Sequence, residues 1–141
     1  MARDRQTLDR IHRVRTIQLN LTRAEESQAL QRVASEHALS ARITALAEAV
    51  APTPTPASGG FALGAAAFYR DRLQQSAHAA QSRVEVAQYR ATMAGDATRS
   101  ARRDQNAIEK LRERAMAEAV VKEMRALEEA PVGKAKRHDP C

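Results

Sequence analysis

Seven residues separate each of Leu73, Ala80, Ala87, Ala94, Ala101, Ile108 and Ala115 from the next, and Ala77, Val84, Ala91, Thr98 and Gln105 fall four residues after the first five. That 4-3 spacing holds one stripe of an α-helix toward a partner helix. The rungs are nearly all small, so the partner can come close while each turn buries little apolar area. A chain built this way makes a long rod with a thin seam, better suited to a shaft or adaptor than to holding a reaction.

The rest of the chain agrees. Its 141 residues suffice for one ordinary domain, but it has no Trp, and Phe61, Phe68, Tyr69 and Tyr89 are its only aromatics. Ala, Arg, Glu and Gln dominate, all strong helix formers, and large aliphatic residues are too sparse to fill a three-layer core. Residues 51–60 read Ala-Pro-Thr-Pro-Thr-Pro-Ala-Ser-Gly-Gly, through which no helix runs, because three prolines lack amide donors and glycines favour turning. The predicted fold class is therefore all-α: two long helices in an antiparallel coiled-coil hairpin, the second longer. The first helix covers 4–50, the connector 51–60 forms the hairpin tip, the second helix covers 61–130, and Pro131 and Gly133 open a disordered basic tail over 131–141.

On the first helix the apolar seam reads Leu8, Ile11, Val14, Ile17, Leu21, Ala24, then Leu30, Val33, Leu39, Ile43, Leu46 and Val50. The jump from Leu21 to Leu30 breaks heptad phase, as a stutter does. Gly95 inside the second helix costs about 1 kcal/mol relative to Ala and marks a soft point. Phe61, Leu63, Phe68 and Tyr69 stand beside the connector, where they can staple the tip. Closing the hairpin there makes facing residue numbers sum to about 111. Arg10, Arg13 and Arg15 then lie near Arg99, Arg102 and Arg103, merging two basic runs into one collar. Residues 110–129 are left without a partner, and Met116, Val120, Met124 and Leu127 form a free stripe there. Such a stripe awaits a partner or a second copy, or packs on Ile11 and Val14 if the register slips.

The net charge of +6 is uneven: residues 3–23 hold six Arg against two Asp, residues 99–114 hold six Arg or Lys against three acids, and Lys134, Lys136 and Arg137 add a third basic run. Several of these cations stand three or four residues from an acid, as on an ordinary solvated helix face. No aromatic platform or reading motif accompanies them, so nucleic acid is not an expected partner. Cys141 is the only cysteine, which fits a reducing compartment. No apolar run approaches the roughly 20 residues of a membrane span, and Met1-Ala-Arg-Asp-Arg lacks the apolar core of a secretion signal. His12, His37, His78 and His138 lack metal-ligand spacing, although His37 and His78 could meet across the hairpin. Val132-Gly133-Lys134 is no phosphate loop, and the paired carboxylates Glu25-Glu26 and Glu128-Glu129 lie on helices bathed in water. Neither catalytic residues nor a metal or cofactor site is predicted.

The motif Phe68-Tyr69-Arg70-Asp71-Arg72-Leu73, the small-residue heptad helix after it, and Ala107-Ile108-Glu109-Lys110-Leu111-Arg112-Glu113-Arg114 together resemble the flagellar export protein family FliJ. The likeness in sequence lies mainly over 68–125, with Leu8 to Arg23 compatible. It implies a cytoplasmic antiparallel coiled coil, peripheral at the inner face of the cell membrane and free of transmembrane segments. Its implied role is that of a non-enzymatic stalk and adaptor of flagellar type III export. The implied partners are the export ATPase, whose ring pore receives the helix ends, the export gate membrane protein, and export chaperones. The basic runs and the free apolar stripe of this chain then make Arg10, Arg13, Arg99, Arg102, Arg103, Arg112, Met116 and Val120 the expected ring contacts. Gate contacts fall to Tyr69, Leu73 and Ser76, which repeat the family's aromatic, Leu and small-residue spacing. The chain departs from the family pattern at Ala80, where a His is usual, and in having no aromatic over 1–60. The alternatives are a generic coiled-coil interaction protein, including a needle-type secretion stalk, or a basic nucleic-acid-associated hairpin.

Overall fold

The computed structural model describes residues 2–50, 59–131 and 133, with side chains from Asp4 onward. Two helices, α1 (Ala2–Ala49) and α2 (Gly60–Glu129), form an antiparallel hairpin in which the second is longer. Each boundary lies within two residues of the sequence expectation. Most of the connector (51–58) and of the basic tail, with Cys141, lies outside the described residues. At the start of α2 the Gly59 carbonyl accepts from the amides of Ala62 (2.9 Å) and Leu63 (3.5 Å). That bonding puts Gly59 at the N-cap, a position glycine tolerates. The helix runs through Gly95 without interruption, because one glycine costs less than breaking a long hydrogen-bonded ladder.

Contacts divide the chain into two compact units: Met1–Thr16 with Arg103–Cys141, and Ile17–Arg102. In the second unit, Arg83 Nε lies 3.3 Å from Glu36 Oε2 and Gln88 Nε2 lies 3.1 Å from His37 Nε2. The core is Leu19, Ala80, Val84 and Ala87, all at most 9% exposed. In the first unit, Arg112 donates to Asp9 at 2.7 Å, Arg15 to Asp104 at 3.2 Å, and Gln105 to Thr16 at 3.4 Å. The second unit thus carries the buried apolar core, and the first closes on polar pairs.

From Leu73 onward every rung of the α2 ladder is less exposed than its neighbours except Ala94, beside which Gly95 is buried, and the same 4-3 rhythm continues through Arg112, Ala115 and Ala119. On α1 the expected seam is corrected. The inward residues are Leu8, His12, Arg15, Leu19, Thr22, Glu26, Ala29, Val33, Glu36, Ser40, Ile43, Ala47 and Val50, an unbroken 4-3 series without a stutter. Ile11, Val14, Ile17, Leu21, Leu30, Leu39 and Leu46 are exposed instead, as is Ala24. A strict heptad on α2 admits only a partner in the same phase. The large apolar residues of α1 that fit that phase are Leu8, Leu19, Val33, Ile43 and Val50. The polar residues at the remaining rungs are carried inward with them.

The register is corrected too. Facing numbers total 119 for Glu36 with Arg83 and for Arg15 with Asp104, and 121 for Asp9 with Arg112. Sliding one helix past the other by a heptad changes that total by seven, so about 113 and about 120 both keep both ladders inside. Near 113, the α1 arginines at 10–15 would face the cluster Arg99, Arg102 and Arg103. Near 120, Arg15 meets Asp104 and Arg112 meets Asp9. Like charges facing across a seam repel, so the slip replaces the expected basic collar with cross-helix ion pairs. It also leaves about ten residues at the start of α2 without α1 beside them, and shortens the unpartnered end from 110–129 to about 119–129.

Candidate interaction surfaces

The second unit carries the residues expected to meet an export gate. Tyr69 is 57% exposed, Ser76 is exposed, and Leu73 between them is half-buried as the first inward rung of α2. Tyr69 and Ser76, seven apart, share one flank of the helix, so an approaching partner meets the tyrosine ring with Leu73 behind it. Phe61, Leu63 and Phe68 do not staple the tip: they are 94%, 56% and 67% exposed, as the register requires. Arg99 and Arg102 are also exposed, and Arg99 pairs with Asp96 one turn earlier.

An open groove of about 510 Å³ runs along the same unit, with Glu25, Arg32, Glu36, Arg83 and Arg90 around Ala29, Val86 and Ala87. Arg83 approaches Glu36 off the hydrogen-bonding direction, so the buried Glu36 Oε2 feels the charge without an N–H aimed at it. His37 meets Gln88 rather than His78. Among the described residues no group of His, Cys, Asp and Glu could hold a metal ion.

In the first unit Arg10, Arg13 and Arg103 are exposed and Arg112 is half-buried. Arg112 commits both Nε and Nη2 to Asp9, so its charge is largely spent within the hairpin. Met116 and Val120 are 48% and 58% exposed and continue into Met124 and Leu127 at 57% and 74%. Neither Ile11 nor Val14 covers them, both being exposed as well. The expected stripe is exposed at all four residues, with Met116 beside the first turns of α1. A small cleft of about 90 Å³ between Leu8, Asp9, Arg112 and Met116 marks where the first turns of α1 lie against α2.

Sequence reasoning missed Leu19 and the pairs Asp9–Arg112 and Arg15–Asp104. Leu19 stands two heptads before Val33, so running the α2 rhythm back along α1 would have found it. The acid–base pairs follow once like charges are kept apart in choosing the register. Among the described residues no helix is long and apolar enough to cross a membrane.

These features define a class, a two-helix antiparallel coiled coil with a small-residue seam and exposed apolar and basic surfaces. Comparison with family models, curated proteins and solved structures finds no match to this chain.

Proposed function

We propose that this protein is a non-enzymatic stalk and adaptor of flagellar type III export, with its helix ends engaging the export ATPase ring and its body meeting the export gate. The observation that carries this reading is the first unit. It brings the start of α1 and the end of α2 together, leaves Arg10, Arg13 and Arg103 exposed, and extends an apolar helix stripe past them. A ring lumen with acidic walls offers such an end both charge and apolar cover. Tyr69, Leu73 and Ser76 supply the gate-facing flank, and empty chaperones are a third class of partner. The protein then acts by biasing ring assembly and turnover, from a peripheral position at the inner face of the cell membrane.

Size-exclusion chromatography with the flagellar export ATPase tests this directly. The protein is expected to co-migrate with the ATPase before and after nuclease treatment, and Arg10→Glu with Arg13→Glu to abolish co-migration. Elution as separate species would remove the stalk reading. The exposed stripe from Met116 to Leu127 supports a second reading, a self-associating coiled coil, in which mass rises with concentration and no ATPase is bound.

A further inference from the structure

We propose that residues 60–72, the first turns of α2, are a lipid-docking tip that seats end-on in the interface of an anionic bilayer. This inference shares Tyr69 with the gate-facing flank of the stalk reading, but it needs neither the ATPase nor the gate.

The register leaves its first ten residues, 60–69, without α1 beside them. Phe61, Leu63, Phe68 and Tyr69 are all more than half exposed there, and Phe61 at 94% gives essentially its whole ring to solvent. In a chain with 28% charged residues, none stands between Glu48 and Arg70. Elsewhere the exposed apolar residues of this protein are interspersed with charge; over 60–69 the Tyr69 hydroxyl is the one polar side-chain group.

The arrangement around the helix favours lipid over a protein groove. At about 100° per residue, Phe61 and Phe68 share one side, Tyr69 stands about 80° from Phe61, and Leu63 points about 160° away. A groove covers one stripe of a helix. An apolar phase entered end-on covers all sides at once.

Distances along the axis fit as well. Arg70 follows Gly60 by about 15 Å of helix rise. With the first turn of α2 about 5–10 Å into the headgroup–acyl boundary, Phe68 and Tyr69 reach the level where interfacial aromatics gather, and Arg70 and Arg72 reach the phosphates. Neither guanidinium has an ion-pair partner among the described residues, while Asp71 accepts a hydrogen bond from Gln75 at 3.0 Å. Two uncommitted cations therefore face an anionic surface.

The absence of Trp makes the test clean. In the full-length chain, Phe61→Trp supplies the only indole, and it is read against protein-free vesicles of phosphatidylglycerol and phosphatidylcholine. The emission should shift to the blue on adding vesicles and be quenched by acyl-brominated lipid. Phe61→Ser with Phe68→Ser should lower co-sedimentation with vesicles about a hundredfold. Arg70→Ser with Arg72→Ser should erase the preference for anionic over neutral vesicles. All four side chains are exposed, so helicity by circular dichroism should stay at the parent level. An unchanged Trp emission would overturn the proposal. Vesicle binding equal to the parent in the double Phe variant would do so too, since the contact would then lie in another basic region. Binding only to membranes that carry protein would assign the tip to a protein pocket instead.

Discussion

Glu36 and Gly95 are two residues at which the seam departs from what a helix pair ordinarily requires. Glu36 occupies an inward rung near Val84, the most deeply buried large side chain, and its Oε2 is buried beside a half-exposed Arg83. Desolvating a carboxylate costs more than one imperfect ion pair returns. Glu36→Leu should therefore stabilise the hairpin by about 1 kcal/mol, seen as a higher Tm in thermal circular dichroism, whereas Arg83→Ala should destabilise it by less than about 1 kcal/mol. A lower Tm for Glu36→Leu would mean that the carboxylate is held better than its geometry indicates. At Gly95, an added Cβ would come within 3.3 Å of Glu26 Oε1. That oxygen is the far end of a flexible side chain with no ion-pair partner among the described residues, so it can give way. Gly95→Ala should then recover most of the helix-propensity difference, about 1 kcal/mol, in denaturant unfolding. A loss of stability would show that Glu26 cannot move.

At the scale of the helices, the register is the quantity that decides which surfaces exist. With Cys141 replaced, Val33→Cys and Ala87→Cys should form an intramolecular disulfide under mild oxidation, because their numbers total 120. Val33→Cys with His78→Cys, which total 111, should not. The reverse result would restore the basic collar. The two units should also differ in amide exchange. Protection is expected to peak around Ala80–Gly95, where the buried residues of α2 lie, and to be lower over 103–129, where Asp9, Arg15 and His12 line the seam. Much of this was legible in the sequence. The α2 ladder from Leu73 to Ala115 and the break at 51–60 needed only spacing and proline chemistry. The α1 seam was not legible from α1 alone. Ile11, Val14, Ile17 and Leu21 outnumber Leu8 and Leu19 as a hydrophobic pattern, yet they lie out of phase with the partner. Heptad phase is a property of the pair, and in a seam of alanines apolar burial is too weak to let one helix dictate it. The candidate site residues at 10, 13, 99, 102 and 103 were legible as charges. Arg112 was not, because its commitment to Asp9 follows from the register.

At the scale of the whole molecule the hairpin buries little and exposes much: among the described residues four hydrophobic side chains form the core while Phe61, Ile17, Leu21, Tyr89, Val120 and Leu127 stand in water. The proposed role supplies partners for the helix ends and for the hairpin body. The most direct measurement is ATP hydrolysis by the flagellar export ATPase with and without this protein, alongside the variant carrying Arg10→Glu, Arg13→Glu and Arg103→Glu. The stalk account predicts stimulation by the parent chain and its loss in the variant at unchanged helicity. Turnover that the parent leaves unchanged, at concentrations that saturate the ring, would contradict it.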